Sequence, residues 1–216
     1  MENFLKFASS RRSIRKYEDK AIPAEDIEYF IKAAVTAPSG CNSQCWRFVA
    51  VTDKELINKM AEAVIKRMEE LLEKGKEALG EQYNEKYLAS KRKMVSFFRN
   101  APVVVAVFMT HLEYYDRAVT VALREKGMNY EDMMKLMAYP DVLSIGAAVQ
   151  NMLLAVHEKG YGACWMNEPA VAASDIGEIL GEPVSSRFMS LIPIGFPAYA
   201  TREKVLKEFS EVYELK

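Results

Sequence analysis

Pro38-Ser39-Gly40-Cys41-Asn42-Ser43-Gln44-Cys45-Trp46 is the stretch on which the reading of this chain turns. It joins an amphipathic helical pattern to the β-branched and aromatic run Arg47-Phe48-Val49-Ala50-Val51. Pro38 stops the helix, because its ring and missing N–H cannot continue the ladder. Gly40 lets the backbone bend or approach a ligand closely. Ser39, Asn42, Ser43 and Gln44 bring donors and acceptors without net charge. Such a set suits the polar rim of a flat heterocycle bearing C=O and N–H groups. Pro, Ser, Gly and Asn are also the usual residues of an ordinary turn, so the loop alone leaves both readings open.

A second piece lies upstream, Ser10-Arg11-Arg12-Ser13-Ile14-Arg15. Arginine holds phosphate through a planar fork of donors, and serine adds a short hydrogen bond. Taken by itself the piece also reads as a solvated basic stretch.

Together the two pieces resemble the nitroreductase family of FMN-dependent oxidoreductases. That family opens with Arg-x-Ser-x-Arg/Lys and continues, after a helix, with Ala-Pro-Ser-x-x-Asn-x-Gln-Pro-Trp. Here the matching residues are Arg11-Arg12-Ser13-Ile14-Arg15 and Ala37 to Trp46, with Cys45 where the family usually has Pro. Gln150 to Ala155, Gly160 to Trp165 and Ile194-Gly195-Phe196-Pro197 resemble the family as well, whereas residues 73–140 carry no resemblance. The resemblance implies an α+β nitroreductase-like fold: a central, mostly antiparallel sheet flanked by helices, in a domain-entwined homodimer. It implies one domain over 1–216, with about 73–140 as a variable excursion on the substrate side.

Bulk properties agree with an ordinary globular chain. At 216 residues it is long enough for a real core, and 50% of it is hydrophobic. A net charge of −1 advertises neither nucleic acid nor an acidic membrane surface. The start, Met1-Glu2-Asn3-Phe4-Leu5-Lys6, lacks the apolar core of a signal peptide, and Ala101 to Met109 is too short to span a bilayer. The expectation is a cytoplasmic protein without nucleic-acid or membrane partners. Cys41, Cys45 and Cys164 are an odd count without CxxC, which argues against a disulfide framework. With His111 and His157 as the only histidines, four well-spaced zinc ligands are not to be had.

Along the chain, Phe4 to Ser9 reads as a short helix, and Ile14, Tyr17 and the proline at 23 suggest an extended arm. Pro23 starts a helix to Ala37, with Ile27, Phe30, Ile31 and Ala34 on one stripe. Trp46 to Val51 reads as a strand. Thr52-Asp53-Lys54-Glu55 has the capping-box pattern, predicting a helix to about Leu72 with Leu56, Met60, Val64 and Leu71 inward. Residues 73–93 read as a solvated region. Ala101 to Phe108 reads as a strand buried on both faces, and the Met- and Tyr-rich stretch 111–139 as helices covering the ligand side. Asp141 to Lys159 is apolar all round, so the pattern predicts burial on every side. A helix shared with a second subunit would account for that. His157 near its end most simply favours the helix dipole, with catalysis as the lesser alternative. Gly160 stops it. Gly162 to Met166 and Met189 to Gly195 read as strands around a short helix, Ser174 to Leu180. No dinucleotide fingerprint or P-loop appears, so the Arg/Ser piece is the main candidate for holding a nucleotide.

The resemblance implies bound FMN, NADH or NADPH as reductant, and a small-molecule electron acceptor (nitroaromatic, quinone or similar conjugated compound) served in turn by a ping-pong hydride cycle. Arg11 and Ser13 would hold the phosphate with Arg12 alongside, and Arg15 would sit nearer the ribityl chain and N1 edge. Pro38, Ser39 and Gly40 would line the ring from the other subunit, with Asn42 and Gln44 fixing the pyrimidine edge or the loop. The backbone of Trp165, Met166 and Asn167 would lie by N5. Arg202 and Lys204 are candidates for a second phosphate cation, and the charged tail would wrap the partner. No side-chain relay is visible, and hydride transfer requires proximity and orientation more than a side-chain acid. The Ala-Pro-Ser-Gly loop also resembles the reductive dehalogenase branch, although that branch's Glu-x-x-x-Tyr lid pattern is not found between residues 73 and 100. A flavin-binding protein that stores or senses FMN, and a cofactor-free interaction module, are the readings of other classes.

Overall fold

Val103–Met109 forms β2, and every residue of it is buried. The computed structural model describes residues 4–110, 117–201 and 205–216; His111, Arg202 and Lys204 lie outside these. β2 can be apolar throughout because both faces of the sheet are covered. Val103, Val105 and Val107 point into one core, Val104, Ala106 and Phe108 into another, as strand alternation requires. On one edge β2 pairs antiparallel with β1, Trp46–Val51. On the other it pairs antiparallel with β4, Arg187–Gly195, which carries the two-residue β3, Gly162–Ala163. The order is β1-β2-β4-β3.

The first core lies under α2, Ala24–Val35, and α8, Pro140–Glu158. Pro23 precedes α2, and Phe30 and Ala34 are its fully buried residues, with Ile27 and Ile31 half-buried beside them. Gly160 takes φ +80° after α8; its N–H reaches His157 O, and Tyr161 N–H reaches Val156 O. This closes the helix in a Schellman turn. The second core lies under α3, Lys54–Lys74, and α9, Ala173–Ile179. Between these come α4, Lys76–Leu79, α5, Glu85–Ser96, α6, Arg117–Glu125, and α7, Tyr130–Leu136; α1 is Phe4–Ser10.

Three expectations need correction. The cap of α3 is Asp53, whose carboxylate accepts from Glu55 N and Leu56 N, and not Thr52. Leu71 is 50% exposed; Ile57 and Ala61 join Met60 and Val64 inside. Within one chain α8 leaves Leu143 65% exposed, the side that the expected second subunit would cover. The strand expected over Gly162 to Met166 shrinks to Gly162–Ala163 and resumes as an isolated bridge between Met166 and Leu191. The break falls where Cys164 N donates to Pro193 O at 3.3 Å; Pro193 has no N–H to return the bond.

Candidate functional site

The arm after α1 is built by backbone pairing. Ser13 bridges Ala163 in parallel, and Ile14 N donates to Ala163 O at 2.9 Å. Ile14 is buried against Gly162, where no side chain stands in its way. The basic and hydroxyl residues on either side of Ile14 are thereby fixed along β3, a short step from Trp165, Met166 and Asn167. Ser13 and the guanidiniums of Arg15 and Arg11 all bear on the Cys164 thiol, whose pKa is nevertheless raised, chiefly by burial.

A cleft of about 230 Å³ opens beside the arm. Arg11 and Arg12 line it with the hydroxyl-bearing Ser10, Tyr199 and Thr201, and no carboxylate does among the described residues. Arg11 has no ion-pair partner among the described residues. Arg12 is turned partly to its own backbone, donating to Ser9 O and, at 3.0 Å, to Arg11 O. It therefore helps cap α1, where unpaired carbonyls gather. His157 also faces this cleft; its Nε2 is 2.7 Å from Ser10 Oγ. Cations and hydroxyls without a carboxylate make a donor set suited to a phosphate.

The loop Ser39 to Gln44 is held in an unusual shape. Cys41, Asn42 and Gln44 take φ of +51°, +54° and +48°, each a left-handed conformation costing about 1–3 kcal/mol in a non-glycine residue. Ser39 Oγ accepts Gln44 N–H at 3.0 Å, and Gln44 Nε2 meets Asn42 Oδ1 at 3.4 Å. Ser39 thus holds the loop itself, while the exposed amides of Asn42 and Gln44 are presented together. Gly40 N donates to Ser144 Oγ at 3.3 Å, which pins the loop to the first turns of α8. The arm instead meets α8 at its last turn, through Ser10 and His157. Ser144 and His157 are about 20 Å apart at ~1.5 Å per residue. Within one chain the loop therefore meets α8 near its start, and Ser10 meets it near its end.

The Nitroreductase family matches the chain over residues 8–196, which includes the arm, the loop and the whole sheet. The chain belongs to the nitroreductase family. It is 30% identical over 202 residues to a protein of Archaeoglobus fulgidus named for NADH dehydrogenase/NAD(P)H nitroreductase activity, covering 91% of this chain and 87% of the relative. It is 25% identical to the iodotyrosine deiodinase of Thermotoga neapolitana, covering 91% and 90% of the two chains. Among solved structures, a BluB-like flavoprotein of Clostridium difficile 630 superposes with a TM-score of 0.83 at 28% identity, covering 100% of both chains. A nitroreductase-type protein of Desulfovibrio desulfuricans, solved in complex with FMN, does so with a TM-score of 0.68 at 25% identity, covering 100% and 98%.

In this nitroreductase-family chain the usual loop proline is Cys45, which is 1% exposed, its thiol 3.7 Å from Asp141 O beneath α8. Burial raises the thiol's pKa. The loop is anchored here by a buried side chain in place of a fixed φ. Trp165 is 40% exposed and reaches over Gly146 of α8; Met166 is buried and Asn167 exposed. Tyr199 and Thr201 were invisible to sequence reasoning, because they enter the cleft only through the course of the chain after β4.

Proposed function

We propose that the chain is an FMN-dependent oxidoreductase that takes hydride from NADH or NADPH and delivers it to a small aromatic or conjugated acceptor, such as a nitroaromatic or a quinone. Bound FMN would supply the hydride chemistry, receiving from one molecule and giving to the next in alternate turns. The observation that carries the reading is the arm: Ser13 and Ile14 pair with Ala163 of β3, Arg15 follows them, and Arg11 lines a cleft that holds no carboxylate among the described residues.

In this reading Arg11 and Ser13 hold the phosphate, and Arg12 closes the end of α1 beside it. Arg202 and Lys204 are the tail candidates for a further phosphate cation. Arg15 provides a fixed positive charge where the reduced ring gains negative charge, a preorganised electrostatic contribution. The backbone of Trp165, Met166 and Asn167 offers a donor to the ring. Pro38, Ser39, Gly40, Asn42 and Gln44 would close over the ring from a second copy of the chain. Two features support the homodimer: Ser10 and the loop meet α8 near opposite ends, and that helix leaves Leu143 and Val142 uncovered. The tail exposes Val205, Leu206, Phe209, Val212 and Tyr213, an apolar stripe suited to wrapping the partner.

A second reading, a reductive dehalogenase-like enzyme, draws on the deiodinase relative. It lacks the Glu-x-x-x-Tyr lid pattern over residues 73–100. Anaerobic mixing with NADH and NADPH tests the proposal. Fast bleaching of the flavin band supports the enzyme. A yellow protein reduced by dithionite but by neither nucleotide would be a storage or sensor protein, and a colourless one an interaction module.

A further inference from the structure

The arm has a second cleft on its other side, at Arg15. It is the larger, about 770 Å³. Arg15 and Lys16 reach it from the arm, Lys93, Met94 and Phe97 from the end of α5 and the turn that follows, and Tyr199 from the chain after β4. Tyr199 borders both clefts, and its hydroxyl lies 3.4 Å from Arg15 N.

Two features separate this cleft from an ordinary charged surface. Among the described residues no aspartate or glutamate lines it, although the chain has 30 acidic residues to 29 basic ones. Arg47, Arg67 and Arg92 elsewhere have carboxylate partners, and so does Arg99, which also lines the cleft and pairs with Glu62. Arg15, Lys16 and Lys93 have no ion-pair partner among the described residues. Three cations of like sign held near one another repel, and an anion relieves that repulsion. Beside them Met94, Phe97 and Tyr199 form an apolar and aromatic wall, which suits a flat conjugated body and not a bare inorganic ion.

We propose that this cleft holds the acidic end of the electron acceptor, so that the preferred acceptors are aromatic or conjugated carboxylates over their neutral counterparts. The proposal rests on the flavin reading of the arm, because Arg15 is the wall that the cleft shares with the proposed ring site. Lys16 and Lys93 are positioning residues in this account; they select and orient the acceptor without taking part in hydride transfer.

The test titrates FMN-loaded protein with 4-nitrobenzoate and with its neutral isostere 4-nitrobenzamide, following the flavin band and the heat of binding. The carboxylate is expected to bind about tenfold more tightly, roughly what one charge-assisted contact provides. That gap should shrink in Lys93→Gln and Lys16→Gln and at high salt, while the amide's affinity stays unchanged. Equal affinities, a gap that survives in both variants, or release of FMN on carboxylate binding would overturn the proposal; the last would assign the cleft to the cofactor. Protein that retains no FMN would sink the flavin reading instead, and calorimetry on that colourless protein would still show whether the cleft discriminates the anion.

Discussion

Ile14 occupies the space that a side chain at Gly162 would need: a Cβ there would lie 2.4 Å from Ile14 Cγ1 and 2.7 Å from Ile14 Cβ. Neither atom is the tip of a flexible chain, and the Ile14 backbone is bonded to Ala163, so the arm itself has to move. Gly162→Ala is expected to cost about 1–3 kcal/mol of stability, as overpacking does. It should also weaken FMN retention by about tenfold or more, because the phosphate and ring cations ride on that arm. Urea unfolding and a fluorescence titration with FMN read the two effects. Adding Ile14→Ala should recover part of the retention. An unaffected FMN affinity in Gly162→Ala would show that the arm does not carry the clamp.

Arg11→Ala should separate binding from folding. Arg11 lines the cleft without an ion-pair partner among the described residues, so its removal leaves no buried charge stranded. A charge-assisted contact to phosphate contributes about 1.5–3 kcal/mol. FMN affinity should fall by roughly ten- to a hundredfold while circular dichroism and the urea midpoint of the cofactor-free protein stay put. Equal FMN affinity in mutant and parent would argue against a phosphate at this cleft.

Leu143→Glu tests the need for two copies. Leu143 stands exposed on α8, so a charge there is tolerated by a single chain. In an assembly that buries the α8 face it is not, because an unpaired charge would be driven into an apolar contact. Sedimentation should show a dimer for the parent, burying above ~2,000 Å², and monomer for the variant. The monomer should be colourless, because in the proposed site the loop closes over the ring from a second copy while the loop and Ser10 of its own chain meet α8 near opposite ends. A yellow monomer, or a monomeric parent at micromolar concentration, would contradict the shared site.

The strands and the main helices were legible where one physical signal dominated. Val103 to Phe108 could only be a strand covered on both faces, and Trp46 to Val51 follows a loop that must end before Trp46. What was lost depended on distant partners. Nothing local in Gly162 to Met166 announces that Pro193 stands opposite Cys164 and withholds a hydrogen bond. The pattern Thr52-x-x-Glu55 fits a capping box, yet Asp53 is an equally good cap and lies one residue nearer the helix that forms. For the candidate site, residue types gave the arm and the loop. They did not reveal that Ser39 spends its hydroxyl on Gln44 N, that Arg12 turns back onto α1, or that Tyr199 joins two clefts. Those are consequences of backbone path, which composition does not encode.

Tyr161 offers a pH-dependent check on how α2 is tied to the end of α8. Its hydroxyl donates to Asp26 Oδ2 at 2.6 Å, and Lys159 Nζ lies 3.1 Å from Asp26 Oδ1. Burial first, and the bond to Asp26 second, push the phenol up to about 12. A raised value means the folded state holds the proton more tightly. The stabilisation is therefore complete below the unfolded phenol's value, about 10, and is lost as pH climbs through about 12. Asp26 shifts the other way, lowered chiefly by the Tyr161 bond and then by Lys159. Its contribution is present above the ordinary carboxylate value and fades as pH falls through the lowered one. Tyr161→Phe should thus lose most stability relative to the parent between these limits, with the gap closing at either extreme. The difference in phenolate absorbance between parent and Tyr161→Phe should rise near 12. A difference that titrates at about 10, the value of a free phenol, would mean that the Tyr161–Asp26 bond does not form in solution.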